Sequence, residues 1–274
     1  MAPLDTVDAA EAQAAAATLV VRIAALIRSI RNPTAPAIGE WSVRDVAVHL
    51  GHVWQGLPAM ARRQTAPPLR DLWELGAMTT ALVRGERDPE PEAVAGRIEK
   101  AAREYLAETA VADDGGTTPW MIEGIEVPRS VFTCHLINEM LLHGDDIARA
   151  ERRPWRIEPV HAGLALRGFI LPVVRLMDPC TLVDQARTGG FAARWDVSWR
   201  GQGRVVYVLE GGELHLEAPA GRRVDCRISA DPGAFLLVMF GRRGVWSTVA
   251  RGRMLAWGRR PWLLPTLRAL TRNP

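Results

Sequence analysis

The sequence predicts two domains of different class: an up-down helical bundle over residues 1–155 and an α+β domain with a mainly antiparallel sheet over residues 156–274. Three observations carry this. Apolar residues recur at helical spacing in the first part and alternate at strand spacing through much of the second. Charge shifts at the same place. Residues 1–155 hold 16 Arg and Lys against 22 Asp and Glu, a balance of −6, and residues 156–274 hold 18 Arg against 9 acids, a balance of +9. Between them lies RRPWRIEP, a proline-interrupted link.

The bundle elements follow in order. A first helix spans about Asp5 to Ile30, with Asp5 or Thr6 as its cap, and NPTAP at 32–36 stops it. A second starts after Trp41. Ser42 is a natural N-cap, and Asp45 three residues on completes a capping-box arrangement. Its buried stripe is Val43, Val46, Ala47, Leu50, Val53, Trp54 and Leu57. A third helix covers Leu69 to Arg84 and a fourth Pro91 to Glu108. DDGG at 113–116 is a loop, and TPWMIEGIEVP is a short extended excursion around Gly124. The fifth helix, HLINEMLLHGDDIARA at 135–150, has Pro128 near its start. Five helical segments with short links argue for the up-down bundle.

The fifth helix carries the chemistry. Glu139 and His143 stand four apart, one turn from each other on one face. A Glu and a His so placed can grip one metal ion if another helix brings a third ligand. His49 or His52 on the second helix can supply it. His49 lies on the flank that meets a bundle interior, and His52 points about 60° away from it. His135 sits one turn before Glu139 and is a candidate to line the same cavity, either behind the ligands or against the substrate. Asp146 either orients a neighbouring group or caps the next turn. Any one of these residues alone has an ordinary structural role open to it: an i,i+4 Glu–His pair stabilises many helices.

The second domain begins with an apolar helix, Pro159 to Met177. FAARWDVSWRG puts Ala193, Trp195, Val197 and Trp199 on one strand face. RVVYVLEGGELHLEA reads as a hairpin turning at Gly211-Gly212. Arg223 to Ser229 is another strand. Residues 231–243 form a helix with Asp231 as N-cap and Pro232 at its first position. A short strand near Met254 and a last helix from Pro261 complete the domain.

Composition narrows the function classes. Three cysteines without a CxxC pair predict a reducing compartment and no disulfide framework. The N-terminus is acidic where a secretory signal is basic. Leu164 to Met177, the most apolar stretch, is broken by Arg167, Pro172 and Arg175, which argues against a transmembrane segment. A cytoplasmic protein is expected. The arginines of the second half are dispersed over strands and loops, so no nucleic-acid partner is expected. The terminal helix reads as packing on the sheet.

WSVRDVAVHL at 41–50, followed by NEMLLHGDDIARA at 138–150, resembles the metal-binding N-terminal domain of the mycothiol-dependent maleylpyruvate isomerase family. That domain belongs to the wider DinB-like superfamily of four-helix bundles, and the resemblance covers roughly residues 10–155. It implies that His49, Glu139 and His143 bind a divalent metal, usually zinc, and that the thiol cofactor is mycothiol. In the isomerase the thiolate adds to an activated double bond, allows rotation and leaves. The sequence departs at Asp145, where relatives often carry an aromatic residue. The element order of the second half is similar to the sterol carrier protein type-two-like fold, which often follows the metal-binding domain. In the isomerase that domain closes over the site and offers positive charge to an acidic substrate. Arg227, Arg242, Arg243, Arg251 and Arg253 are candidates for that task.

Two functions follow. One is a metal- and thiol-dependent isomerase or transferase acting on a small electrophilic, unsaturated acid. The other is a lipid or acyl-ligand carrier whose metal site is structural or vestigial.

Overall fold

The computed structural model describes residues 7–87, 89–109 and 116–272. The chain divides into two compact units, residues 7–156 and residues 157–272.

In the first unit, helix α1 (Ala9–Arg28) starts on Asp8, whose carboxylate accepts from the amides of Ala10 and Glu11. The expected caps, Asp5 and Thr6, lie outside the described residues. A short antiparallel ribbon, β1 (Pro36–Ile38) and β2 (Trp41–Ser42), leads into α2 (Val43–Ala61). Gly39 turns that ribbon at φ +53°. Ser42 and Asp45 make the expected capping box: Asp45 N–H donates to Ser42 Oγ at 3.3 Å and Ser42 N–H to Asp45 Oδ2 at 2.9 Å.

The third helix begins later than the spacing predicts. Leu69 is extended, giving its amide to Met121 O and its carbonyl to Glu123 N–H. The preceding Pro67-Pro68 favours extended backbone. Asp71 then caps a 3₁₀ turn, Leu72–Glu74, and α3 follows at Leu75–Gly85. Helix α4 is Pro91–Thr109. Residues 113–115 of the expected DDGG loop lie outside the described residues. The excursion around Gly124 (φ +78°) is a hairpin of β3 (Thr117–Pro119) and β4 (Glu126–Pro128).

Helix α5 (Arg129–Ala150) follows Pro128 directly. Seventeen of its 22 residues are buried, which marks it as the interior helix of the unit. Helices α1 and α2 each pack on both α4 and α5, and α3 packs chiefly on α2. Gly144 serves this packing. A Cβ there would lie 2.3 Å from the Trp155 ring, which rests on α5 and donates from Nε1 to Leu141 O at 3.2 Å.

The second unit opens with one helical run: α6 (Pro159–Ala165), a π turn at Leu166–Ile170, and α7 (Leu171–Leu176). Pro172, which has no N–H to continue the ladder, sits just beyond the π turn. A one-turn helix, α8 (Gln185–Thr188), precedes the sheet. Its strands are β5 (Ala193–Trp199), β6 (Gly203–Glu210), β7 (Glu213–Glu217), β8 (Cys226–Ala230) and, later in the chain, β9 (Met254–Trp257). Their order is β7-β6-β5-β8-β9. Only β5 and β8 run parallel; the other pairs are antiparallel. Gly211 and Gly212, both at positive φ, make the β6–β7 turn.

Trp195 and Trp199 are fully buried on the core face. Trp195 Nε1–H donates to Leu263 O at 2.9 Å, and Trp199 lies 5.8 Å from Phe235 of helix α9 (Pro232–Met239). Asp231 caps α9 as expected, accepting from Ala234 N–H at 2.8 Å. Three details depart from expectation. Strand β8 starts at Cys226, because Asp225 turns its carboxylate to Arg194 N–H and Arg259. Helix α9 stops at Met239, where Gly241 (φ +73°) reverses the chain. Helix α10 (Val245–Ala250), like α8, is too short to show a periodicity. A 3₁₀ turn (Pro261–Leu263) and α11 (Leu264–Leu270) end the unit.

Two helices, α1 and the run Pro159–Leu176, have the length and apolar content of a membrane span. Half of the apolar window of each is buried inside the protein.

Candidate metal centre

The capping box at Ser42 sets where α2 begins, and that start places His49 opposite the middle of α5. His49 Nε2 lies 3.2 Å from Glu139 Oε2, and His143 Nε2 lies 3.4 Å from the same oxygen. The ligand atoms of the three residues all fall within 4.8 Å of one another. His135, one turn earlier, brings its Nε2 to 3.4 Å from the other oxygen, Glu139 Oε1. One carboxylate is thus gripped by three imidazoles.

Asp146 completes the arrangement. It is fully buried and holds His143 Nδ1 at 3.1 Å through Oδ2. Its Oδ1 accepts from Arg149 Nη2 at 3.3 Å, and Arg149 also donates to Ala37 O at 2.7 Å. The β1 ribbon is therefore linked to the ring orientation of His143. Asp146 thus contacts the imidazole three residues before it on the same helix.

Electrostatics follow from burial and these contacts. Burial alone raises the Glu139 carboxyl, but hydrogen bonds from His135, His143 and His49 hold it well below the usual carboxylate range. Burial works against the His143 cation, yet Asp146 and Glu139 outweigh it and lift its pKa to about 9. Burial keeps His49 below its ordinary value despite Glu139.

These residues fit a divalent metal. Two imidazole nitrogens and a carboxylate oxygen are a catalytic-type donor set that leaves a position open. Bonds of about 2.0–2.1 Å in a tetrahedron put neighbouring ligand atoms about 3.3 Å apart. The 3.2 and 3.4 Å separations at Glu139 match that edge. Asp146 on the far nitrogen of His143 is the carboxylate partner that metal-bound histidines commonly have.

Other expected residues fall elsewhere. His52 faces α3 and α4, not the cluster: its Nε2 is 2.6 Å from Glu86 Oε2, and Arg97 Nη1 holds the other Glu86 oxygen at 2.7 Å. It borders an open cleft of about 500 Å³ with Met78, Leu82 and Glu86. Arg253 is tied to Asp231, the cap of α9, at 2.7 Å. Asp145 and Cys134 are buried in α5.

Trp41 is not among the residues singled out from the sequence. Its ring lies 5.0 Å from His49 and 6.4 Å from His143, forming a wall of the cluster. The available signal was its place directly before the N-cap, but the ribbon that turns it inward is only five residues of strand.

The mycothiol maleylpyruvate isomerase N-terminal domain family matches residues 7–148. No curated protein matches the chain significantly. Among solved structures, a mutant of the mycothiol-dependent maleylpyruvate isomerase aligns with TM-score 0.52 at 10% identity, over 86% of this chain and 90% of that one. A second structure of the same enzyme aligns over the same shares at 11% identity and TM-score 0.49. The first likeness is one of fold, and its coverage exceeds what either compact unit supplies alone. The family match takes in α1, α2, α4 and nearly all of α5, with His49, Glu139 and His143 inside it, and the chain belongs to the mycothiol maleylpyruvate isomerase N-terminal domain family.

Proposed function

We propose that this protein is a divalent-metal-binding, mycothiol-dependent isomerase or thiol transferase. Its substrate is a small electrophilic acid, unsaturated where the reaction is an isomerisation. The observation that carries the reading is the convergence of His49 with Glu139 and His143 across 90 residues of chain. Family membership supports the thiol-dependent isomerase class.

His49 Nε2, Glu139 Oε2 and His143 Nε2 are the proposed ligands, and zinc is the metal this donor set suits best. A metal bound there supplies Lewis acidity that lowers the pKa of a coordinating thiol, making the thiolate nucleophile available at neutral pH. The protein's own residues prepare that step. Glu139 is the ligand carboxylate, unlike the general-base glutamate of H-E-x-x-H hydrolases. Asp146 keeps His143 Nδ1 engaged, so Nε2 faces the cavity. His135 steadies the second oxygen of Glu139, and Trp41 gives the cavity an aromatic wall.

The helical unit is read as a DinB-like four-helix bundle of α1, α2, α4 and α5. Their pairwise packing supports this. The second unit is read as sterol carrier-like, supported by its strand order and by α9 and α11. The division of the chain into residues 1–155 and 156–274 is proposed as functional too, with the metal held by the first.

Elemental analysis of the purified protein tests the reading. About one equivalent of divalent metal per chain is expected, absent from a His49→Ala, Glu139→Ala, His143→Ala variant. Metal-dependent turnover with mycothiol, abolished by a chelator, is the functional counterpart. A wild type that stays metal-free after reconstitution overturns the proposal.

A further inference from the structure

Three of the ten tryptophans are exposed, and all three lie within 17 residues of one another in the second unit: Trp246 (64% exposed), Trp257 (48%) and Trp262 (64%). Leu255 joins them at 53%. These four side chains sit on adjoining elements. Strand β9 is a sheet edge, α10 packs against it, and the 3₁₀ turn that carries Trp262 packs against it as well. On β9, Leu255 and Trp257 are two residues apart and so share a face. Met254 is buried on the opposite one. Burying the exposed pair adds nothing to this unit's core.

Charge in the same segment has one sign. Residues 232–274 hold eight arginines and no Asp or Glu. Asp225 holds Arg259 and Arg260, and Asp231 holds Arg253. On and between α10, β9 and the Trp262 turn, four arginines (Arg251, Arg253, Arg259 and Arg260) meet two carboxylates. Arg251 Nη1 donates to a backbone carbonyl, that of Ser247 at 2.9 Å, a contact that leaves its charge uncompensated.

We propose that the surface formed by α10, β9 and the Trp262 turn docks on an anionic lipid bilayer. Tryptophan side chains partition to the headgroup level, where the ring is buried and the indole N–H stays wet. Arginines beside them gain from the negative surface potential of anionic lipid. A second copy of the same face is disfavoured, because two-fold pairing sets arginine-rich patches against each other. A single-stranded nucleic acid can stack bases on tryptophan. It offers Leu255 no hydrocarbon interior, whereas the acyl boundary does. The docking is independent of the metal centre, since it draws only on residues of the second unit.

The test is co-sedimentation of the full-length protein with phosphatidylcholine vesicles, with and without phosphatidylglycerol. Binding to the anionic vesicles only is expected, weakening as salt is raised. A Trp246→Ser, Trp257→Ser, Trp262→Ser variant should partition at least about tenfold less, with its melting temperature kept because these side chains are exposed. Arg251→Glu should also reduce binding while leaving all three tryptophans in place. The proposal is overturned if the wild type stays in the supernatant at low salt, or if the tryptophan variant binds equally well. It is also overturned if the tryptophans support only a complex with single-stranded DNA or only a dimer in sedimentation.

Discussion

Asp146 Oδ2 stands 3.1 Å from His143 Nδ1, three residues along the same helix, with no solvent reaching the carboxylate. The pair decides which nitrogen of His143 faces Glu139 and His49. Replacing Asp146 by Asn keeps the shape and removes the charge. Metal affinity should fall by about 10- to 100-fold, the usual effect of losing such a partner. Competition against a chromophoric chelator measures it, and an unchanged affinity removes Asp146 from the site.

Without metal, His143 titrates near pH 9, because Asp146 and Glu139 outweigh the burial that opposes its cation. At pH 7 the ring therefore carries a proton that a metal at Nε2 must displace. Metal affinity should rise with pH up to about 9 and flatten above it. Calorimetry in buffers of different ionisation enthalpy should show about one proton released per metal at pH 7. Zero release would mean that His143 is neutral in the free protein or is no ligand.

Gly144→Ala sets two effects against each other. Alanine gains about 1 kcal/mol of helix propensity over glycine. Its Cβ, however, falls 2.3 Å from Trp155, inside the ring's own volume. Overpacking of this kind costs about 1–3 kcal/mol, so the net change should be destabilising. Trp155 must also move off α5, breaking its bond to Leu141 O. A lowered melting temperature is expected, and a raised one would show that the ring relocates freely.

Ser42→Ala removes one half of the capping box at the start of α2. A loss of about 1 kcal/mol is expected in urea unfolding, with fraying next to Trp41. Ser42→Thr should restore most of it, since its hydroxyl can both accept from Asp45 N–H and donate to the Asp45 carboxylate. If Ser42→Ala is neutral, the ribbon rather than the cap anchors α2.

Much of this was legible in the sequence because it rests on local rules. Ser42 with Asp45, Asp231 with Pro232, and Gly211 with Gly212 each carry their own backbone chemistry, and each appears where spacing places it. The i,i+4 pair of Glu139 and His143 is likewise a property of one helix. Failures cluster where non-local contacts override a local pattern. Leu69 leaves the expected helix for a bridge to Ile122, and Asp225 leaves the expected strand for Arg194 and Arg259. Helical spacing already turns His49 and His52 about 60° apart, but it does not name their partners. Packing sends one to Glu139 and the other to Glu86.

The sequence by itself determined the two classes of element, the helix that bears Glu139 and His143, and the family. These depend on periodicity, capping and motif spacing, which act over a few residues or repeat along the chain. Only the tertiary structure decided that His49 meets Glu139 across two helices and that Trp41 walls the cluster. It alone placed Arg253 on Asp231 and left three tryptophans in solvent. The reason is physical. Side-chain partners across helices and exposure at a sheet edge arise from how elements pack, and no local pattern encodes the distance between two of them.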